Sequence, residues 1–164
     1  MALPAEQSGL WRVGGVSVFP EAGFTRPADT TQYTALDVVS NSTATTELMR
    51  FSNCVREPGG TGILYSGLMF DSVDAATNPN FSLVLFDRQI ITLAADNAAG
   101  TVTDAEEYFA VGALVFDGTT AANLHTIGPN LVILASGGGQ AFKCADGSRD
   151  LWGLVIDRGG YTPA

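Results

Sequence analysis

Short apolar runs, separated by turn sequences rich in glycine, proline and asparagine, recur along this chain from residue 33 onward. The runs are rich in β-branched and aromatic residues, and interruptions such as Glu57-Pro58-Gly59-Gly60 and Asp117-Gly118 are typical of turns. This regular spacing predicts an all-β domain built as a sandwich or barrel. The predicted strands are Tyr33–Ser40, Leu48–Val55, Gly62–Val73, Phe81–Asp87, Phe109–Asp117, Asn130–Ala135, Gln140–Ala145 and Leu151–Asp157.

Several of these runs are apolar without interruption and end on an aspartate, at Asp71, Asp87, Asp117 and Asp157. Continuous apolar runs indicate strands that are covered on both faces. One face would pack inside the sandwich, and the other would lie under a loop or a neighbouring subunit. Each closing aspartate is expected to accept backbone N–H groups and so to cap a turn.

Two connections carry more specific signals. Thr103 precedes Glu106 by three positions, which is the spacing of a capping box, and so a short helix is predicted over Thr103–Phe109. Gly137-Gly138-Gly139 is interpreted as a flexible turn between two strands, because no helix follows it as a dinucleotide-binding loop would require.

The first part of the chain differs from the rest. Residues 1–24 are predicted to form an extended N-terminal arm, followed by a single domain over residues 25–164. Two interpretations of the arm stay open. It packs on its own domain, or it docks on a neighbouring subunit, as arms exchanged between subunits do. The candidate docking residues are Trp11, Arg12, Val13, Val18 and Phe19.

The stretch Thr25–Val39 joins this arm to the domain. Arg26-Pro27 favours extended backbone, since proline fixes its own φ and restricts the residue before it. We expect Arg26 and Asp29 to pair and to set the angle at which the arm leaves, and Tyr33 to begin the first strand. These three residues complete the set of candidate interaction residues.

Composition narrows the function. Of the 164 residues 46% are hydrophobic, as in an ordered domain, and the formal net charge is −9. An acidic chain gains nothing from counterion release at phosphates, and so neither nucleic acid nor an anionic membrane is an expected partner. No secretion signal or long apolar segment is recognisable, which predicts synthesis in a cytoplasm.

Patterns that carry chemistry are weak. Cys54 and Cys144 show no metal-type spacing and are expected to be free thiols, although a disulfide between them is open. The single histidine, His125, is expected to be a loop or packing residue and not a catalytic base. The acidic segment 96–107 has the length of a calcium-binding loop but lacks its ligand and glycine positions. The sequence therefore predicts no catalytic residue, metal or cofactor.

One stretch resembles a known family. Arg-Pro-x-Asp-Thr-Thr-x-Tyr followed by Asp-Val-Val, at Arg26–Val39, is similar to the opening of jelly-roll cement or decoration proteins on tailed-bacteriophage capsids. The similarity extends through the run that ends at Asp71 and the run that ends at Asp117, over roughly residues 25–157. Leu36 stands where such sequences usually carry glycine, a departure that concerns the local turn.

The resemblance implies an eight-stranded jelly roll with no catalytic residues, which agrees with the eight predicted strands. It implies a homo-oligomer, most simply a trimer, that binds the major capsid protein on the outer surface of the virion after synthesis in the bacterial cytoplasm. There it would clamp adjacent capsid subunits. The alternative is a carbohydrate- or receptor-binding β-sandwich module of a phage tail or fibre, which would need an exposed aromatic residue beside polar groups.

Overall fold

A computed structural model describes residues 17–28, 30–44, 47–72, 77–91, 94–127 and 130–163. It is built from two antiparallel β-sheets and one short helix. The elements are β1 (Val38–Val39), β2 (Met49–Phe51), β3 (Thr61–Asp71), β4 (Asn80–Phe86), α1 (Asp104–Glu107), β5 (Ala110–Asp117), β6 (Leu124–Ile127), β7 (Asn130–Lys143) and β8 (Leu151–Asp157).

The first sheet is organised around β8. Its order is β1-β8-β4-β5, and β2 also pairs with β8. The second sheet has the order β3-β7-β6. The core lies between the sheets, where Leu114 and Phe116 of the first sheet join Ile133 and Ala135 of the second in one buried cluster. The prediction of an all-β sandwich is thus confirmed, whereas the jelly-roll connectivity stays a prediction.

The first predicted strand is mostly wrong. Only Val38–Val39 of the predicted Tyr33–Ser40 is a strand, because Thr34 to Asp37 forms a tight turn in which the Asp37 N–H donates to the Thr34 carbonyl at 3.0 Å. Leu36 lies in the left-handed region of this turn, with φ of 81°. A turn of this kind usually carries glycine at that position. The second predicted strand is shortened for a related reason, since Asn53 has φ of 57° just after β2.

The prediction of a flexible turn at Gly137-Gly138-Gly139 is also wrong. These glycines lie inside β7, a single strand of 14 residues that replaces two predicted strands. Leu64 pairs with Gln140 and Ser66 with Ser136, and so the three glycines stand opposite Tyr65 and form a bulge. A Cβ on Gly137 would lie 2.3 Å from the Leu64 carbonyl oxygen, which explains why glycine occupies this position.

Strand β6 was not predicted. It has four residues, of which His125 and Thr126 are polar, and it gains its partner by pairing with β7. Within the described residues the total of eight strands therefore agrees with the prediction, although the set of strands differs.

The remaining local predictions fare better. Strand β8 spans the residues expected, and α1 begins after Thr103 with the predicted capping box, in which the Thr103 N–H donates to the Glu106 carboxylate at 3.4 Å. The Thr103 hydroxyl donates to the same carboxylate at 2.8 Å. Asp117 and Asp157 cap turns by accepting backbone N–H groups, from Thr119 and from Gly160.

Candidate docking surface

The second sheet carries large apolar side chains on the side that faces away from the core. They come from β3 and its neighbour β7, and each is between 42% and 71% exposed. We call this set the outer face; it consists of Ile63, Tyr65, Leu68, Phe70 and Leu134.

The register of the strands explains why these side chains share one side. Leu68 lies opposite Leu134 and Phe70 lies opposite Val132, and directly opposed residues of antiparallel strands point the same way. Val132 is itself 7% exposed. The outer face is therefore one continuous patch and not a scatter of single residues, and patches of this kind mark interaction sites.

The opposite side of the same strands is tightly packed. A Cβ on Gly67 would lie 2.7 Å from Cδ1 of Leu114, so β3 approaches the first sheet as closely as its backbone allows. Met69 packs against the same core. Strand β3 thus turns one side to the core and leaves the other side uncovered. The alternation changes phase at the bulge, so the uncovered residues are Ile63 and Tyr65 before it and Leu68 and Phe70 after it.

Strand β3 also lies at the end of its sheet. In the order β3-β7-β6 it has one neighbour within the part of the chain that the structure describes. At the Thr61 end of β3, an open groove of about 760 Å³ lies beside Ile63. The groove is lined mainly by apolar residues, among them Gly62, Ile63, Val111 and Phe142.

At the other end of β3, the two ends of the described chain are fastened together. The Tyr161 hydroxyl donates to the carboxylate of Asp71, the last residue of β3, at 2.9 Å. The guanidinium of Arg26 lies over the rings of Tyr33 and Tyr161, at 5.0 and 6.0 Å from their centroids. We call these residues, together with Asp96, the clasp.

Asp96 is the buried acceptor of the clasp. Its carboxylate accepts the Tyr33 hydroxyl at 2.7 Å and the Ser40 N–H at 2.7 Å, and it lies 4.0 Å from Nη2 of Arg26. Arg26 Nε donates to the Tyr33 hydroxyl at 2.6 Å. Burial, and then the hydrogen bond to Asp96, raise the pKa of Tyr33 well above its usual range. The clasp is therefore a structural cluster with its polar groups paired.

These positions revise the predicted interaction residues. Tyr33 is 1% exposed and belongs to the core, so it stabilises the domain and offers nothing to a partner. The Arg26 side chain is 16% exposed and is held by the clasp. Val18 and Phe19 are 42% and 87% exposed and remain available. Trp11, Arg12, Val13 and Asp29, and with Asp29 the predicted pairing to Arg26, lie outside the described residues.

Sequence reasoning did not single out the residues of the outer face. The signal was present in the uninterrupted apolar run that ends at Asp71, which indicated a strand covered on both faces. What the sequence could not show is which of two alternating sets faces the core, because that depends on the register of β3 against β7.

A second, polar depression lies beside β2 and β8. It has a volume of about 450 Å³, and Arg50, Asn53, Arg149, Asp150 and Trp152 contribute to its walls. Arg50 Nε donates to Asp150 at 2.8 Å, and Asp150 also accepts the Asn53 N–H at 2.9 Å. The hydrogen bond from Asn53, reinforced by Arg50, holds the pKa of Asp150 below its usual range.

The groups considered for chemistry are not gathered into a reactive site. Cys54 and Cys144 are free and buried; burial raises the pKa of both thiols, that of Cys144 to about 11, so they stay protonated near neutral pH. His125 is exposed on β6. Among the described residues, no group of three or more His, Cys, Asp or Glu side chains is arranged to hold a metal ion.

No family model, curated protein or solved structure matches this chain. Within the described segments, no helix has the length and apolar character needed to cross a membrane. Function must therefore be inferred from the residues and surfaces themselves.

Proposed function

We propose that this chain is a capsid decoration protein of a tailed bacteriophage, which binds the outer capsid surface and clamps adjacent subunits of the major capsid protein. The resemblance at Arg26–Val39 suggests the class, and an all-β sandwich with an additional apolar surface is compatible with it. In this role the protein acts through contacts and needs no catalytic site.

The observation that carries the proposal is the outer face. A domain whose core is already closed between two sheets gains nothing for its own stability from exposing large side chains such as Tyr65 and Phe70. Such a surface is favourable only when it is covered in an assembly, whether by the capsid or by a neighbouring copy of the chain. Repetition over a shell then multiplies each modest contact, because many copies bind one rigid lattice.

Purified virions test this proposal directly. We expect the protein to co-purify with capsids in a fixed ratio to the major capsid protein, measured by quantitative mass spectrometry of the particles. Shells that lack it should release their contents at a lower temperature, and adding the recombinant protein should restore the difference. Absence of the protein from purified virions would refute the proposal.

The polar depression favours one other function, that of a carbohydrate- or receptor-binding module. Trp152 lies beside Arg50, Asn53 and Asp150, and an aromatic ring next to paired polar groups is a common arrangement for sugar recognition. A glycan array would report such binding. If a glycan is retained, the exposed Arg149 at the rim offers a test variant, since Arg149→Ala should weaken binding without disturbing the core.

A further inference from the structure

Two apolar surfaces of this chain lack a cover in the described structure. The first is the outer face on β3 and β7. The second is the part of the arm that the structure describes, where Val18 is 42% and Phe19 is 87% exposed. Of residues 17–23, only Pro20 is as much as half-buried, so this segment of the arm does not pack on its own domain.

The clasp determines where the arm leaves the domain. Phe24 packs against the core, and two residues later Arg26 is held over the ring of Tyr161. Tyr161 is bonded to Asp71 at the end of β3. The arm therefore departs beside one end of the outer face. Pro20 keeps it extended there, because proline restricts both its own φ and that of Phe19.

We propose that the arm of one copy lies across the outer face of a second copy, with Trp11, Val13 and Phe19 supplying the apolar anchors. The proposal rests on the proposed function in treating the chain as an assembly protein, but the contact joins two copies and needs no capsid. In this proposal the outer face is covered by the arm of another copy. Of the two interpretations of the arm, the proposal adopts docking on a neighbouring subunit and not packing on its own domain.

The dimensions of the two surfaces agree. Strand β3 has 11 residues and so extends about 35 Å. The 14 residues from Trp11 to Phe24 reach about 43 Å when extended, which is enough to cross the whole face and to place Trp11 at the groove beside Ile63. Because Phe19 is 87% exposed, this part of the arm is not buried on its own domain, and its reach is available for a neighbour.

The proposed contact is heterologous, because an arm on one copy meets a face on the next. Such contacts form rings when the rotation closes. The expected state of the isolated protein is therefore a closed oligomer, and the number of copies predicted from the sequence is three.

Light scattering coupled to size exclusion tests the contact with three proteins. These are the full chain, a variant lacking residues 1–16, and a face variant, Leu68→Ser with Phe70→Ser. The replaced side chains are 59% and 69% exposed, so folding should be retained, which circular dichroism would verify. The matched control is Ile91→Ser with Tyr108→Ser, which removes two comparably exposed side chains elsewhere.

We expect the full chain and the control to be oligomers, and both the arm deletion and the face variant to be monomers. Mixing these two monomers should then give a complex of one copy of each, because one supplies the intact arm and the other the intact face. The mixture is measured at about 100 µM, because a single contact lacks the avidity of a ring and so binds more weakly than the oligomer.

Three results would overturn the inference: a monomeric full chain, an oligomer that persists in either variant, or a mixture that yields no complex. A full chain that remains monomeric with its arm on its own face would support the self-packed alternative. These outcomes are separate from those of the capsid test, because they use isolated protein. Failure of the arm contact leaves capsid binding open, and absence from virions leaves the arm contact measurable.

Discussion

Leu36 adopts a backbone conformation that suits glycine better than leucine. It lies at φ of 81° in the turn between Thr34 and Asp37, and its side chain is 68% exposed. A left-handed conformation costs a residue with a Cβ about 1–2 kcal/mol. Because the Leu36 side chain is largely exposed, its burial offsets little of that cost. Its main-chain bonds, from its N–H to the Asp157 carbonyl and from Gly100 to its own carbonyl, hold the conformation in place.

We therefore expect Leu36→Gly to raise the free energy of unfolding by about 0.5–1 kcal/mol, because relief of the strain exceeds the added freedom of the unfolded chain. Chemical denaturation measures the change. Ala35→Gly is the matched control: Ala35 is not among the residues with positive φ, and so this exchange should lower stability by about 0.5–1 kcal/mol. A less stable Leu36→Gly protein would contradict the described turn.

Tyr33 shows what residue-level prediction lacks. From the local sequence, Tyr33 was predicted to begin the first strand and to contact a partner protein. In the structure it is instead part of the core. Its hydroxyl is satisfied by Asp96, which lies 63 residues away in the chain. The residues around Tyr33 and around Asp96 do not predict this pairing, because a carboxylate and a phenol become partners only when the fold has brought them together.

At the scale of elements, most strands other than β6 were predictable from the sequence, whereas their limits were less so. Strand β8 was predicted over its full length because its apolar run is bounded by clear turns. Strand β7 was divided in two because three glycines usually end a strand. Its continuity depends on β3, which supplies pairing partners on both sides of the bulge. The ends of these strands are determined by pairing with distant strands, which the residues of one apolar run do not show.

The bulge gives a prediction of its own. Gly137→Ala should lower the free energy of unfolding by about 1–3 kcal/mol, because the new Cβ would meet the Leu64 backbone at 2.3 Å and force β3 and β7 apart. Thermal and denaturant unfolding measure the effect. Gly159→Ala serves as control, since the nearest atom to its Cβ would be 3.9 Å away, and it should change stability by less than about 0.5 kcal/mol. Equal effects of the two exchanges would argue against the bulge.

At the scale of the whole molecule, the clasp joins distant parts of the chain. The Tyr33 N–H donates to the Tyr161 carbonyl at 2.9 Å, and the two rings lie 5.8 Å apart between their centroids. Tyr161 also packs edge-on against Phe81, at 5.0 Å. The clasp thus connects the segment that follows the arm, the end of the described chain and the core. Its stability should affect the stability of the whole domain.

Both tyrosines should make the domain sensitive to alkaline pH. Burial raises the pKa of each phenol, reinforced by the hydrogen bond to Asp96 at Tyr33 and by the charge of Asp71 at Tyr161. Below pH of about 10 the phenols are protonated in both the folded and the unfolded chain. Above that pH the unfolded chain loses these protons first, so the free energy of unfolding falls, by about 1.4 kcal/mol per pH unit for each phenol.

Tyr161→Phe isolates one of these contributions. The variant keeps the ring in the core but loses the hydroxyl bonded to Asp71, so above pH of about 10 its stability should fall less steeply, by about 1.4 kcal/mol per pH unit. Cys54 and Cys144, whose pKa values are also raised, add the same slope to both proteins and cancel in the difference. Tyr108→Phe is the control, because Tyr108 is 88% exposed and should leave the slope unchanged. Denaturant titrations at stepped pH give the slopes. An unaltered slope in Tyr161→Phe would mean that the clasp ionises as readily as an open phenol, and that the two ends of the described chain are not held together in the way described.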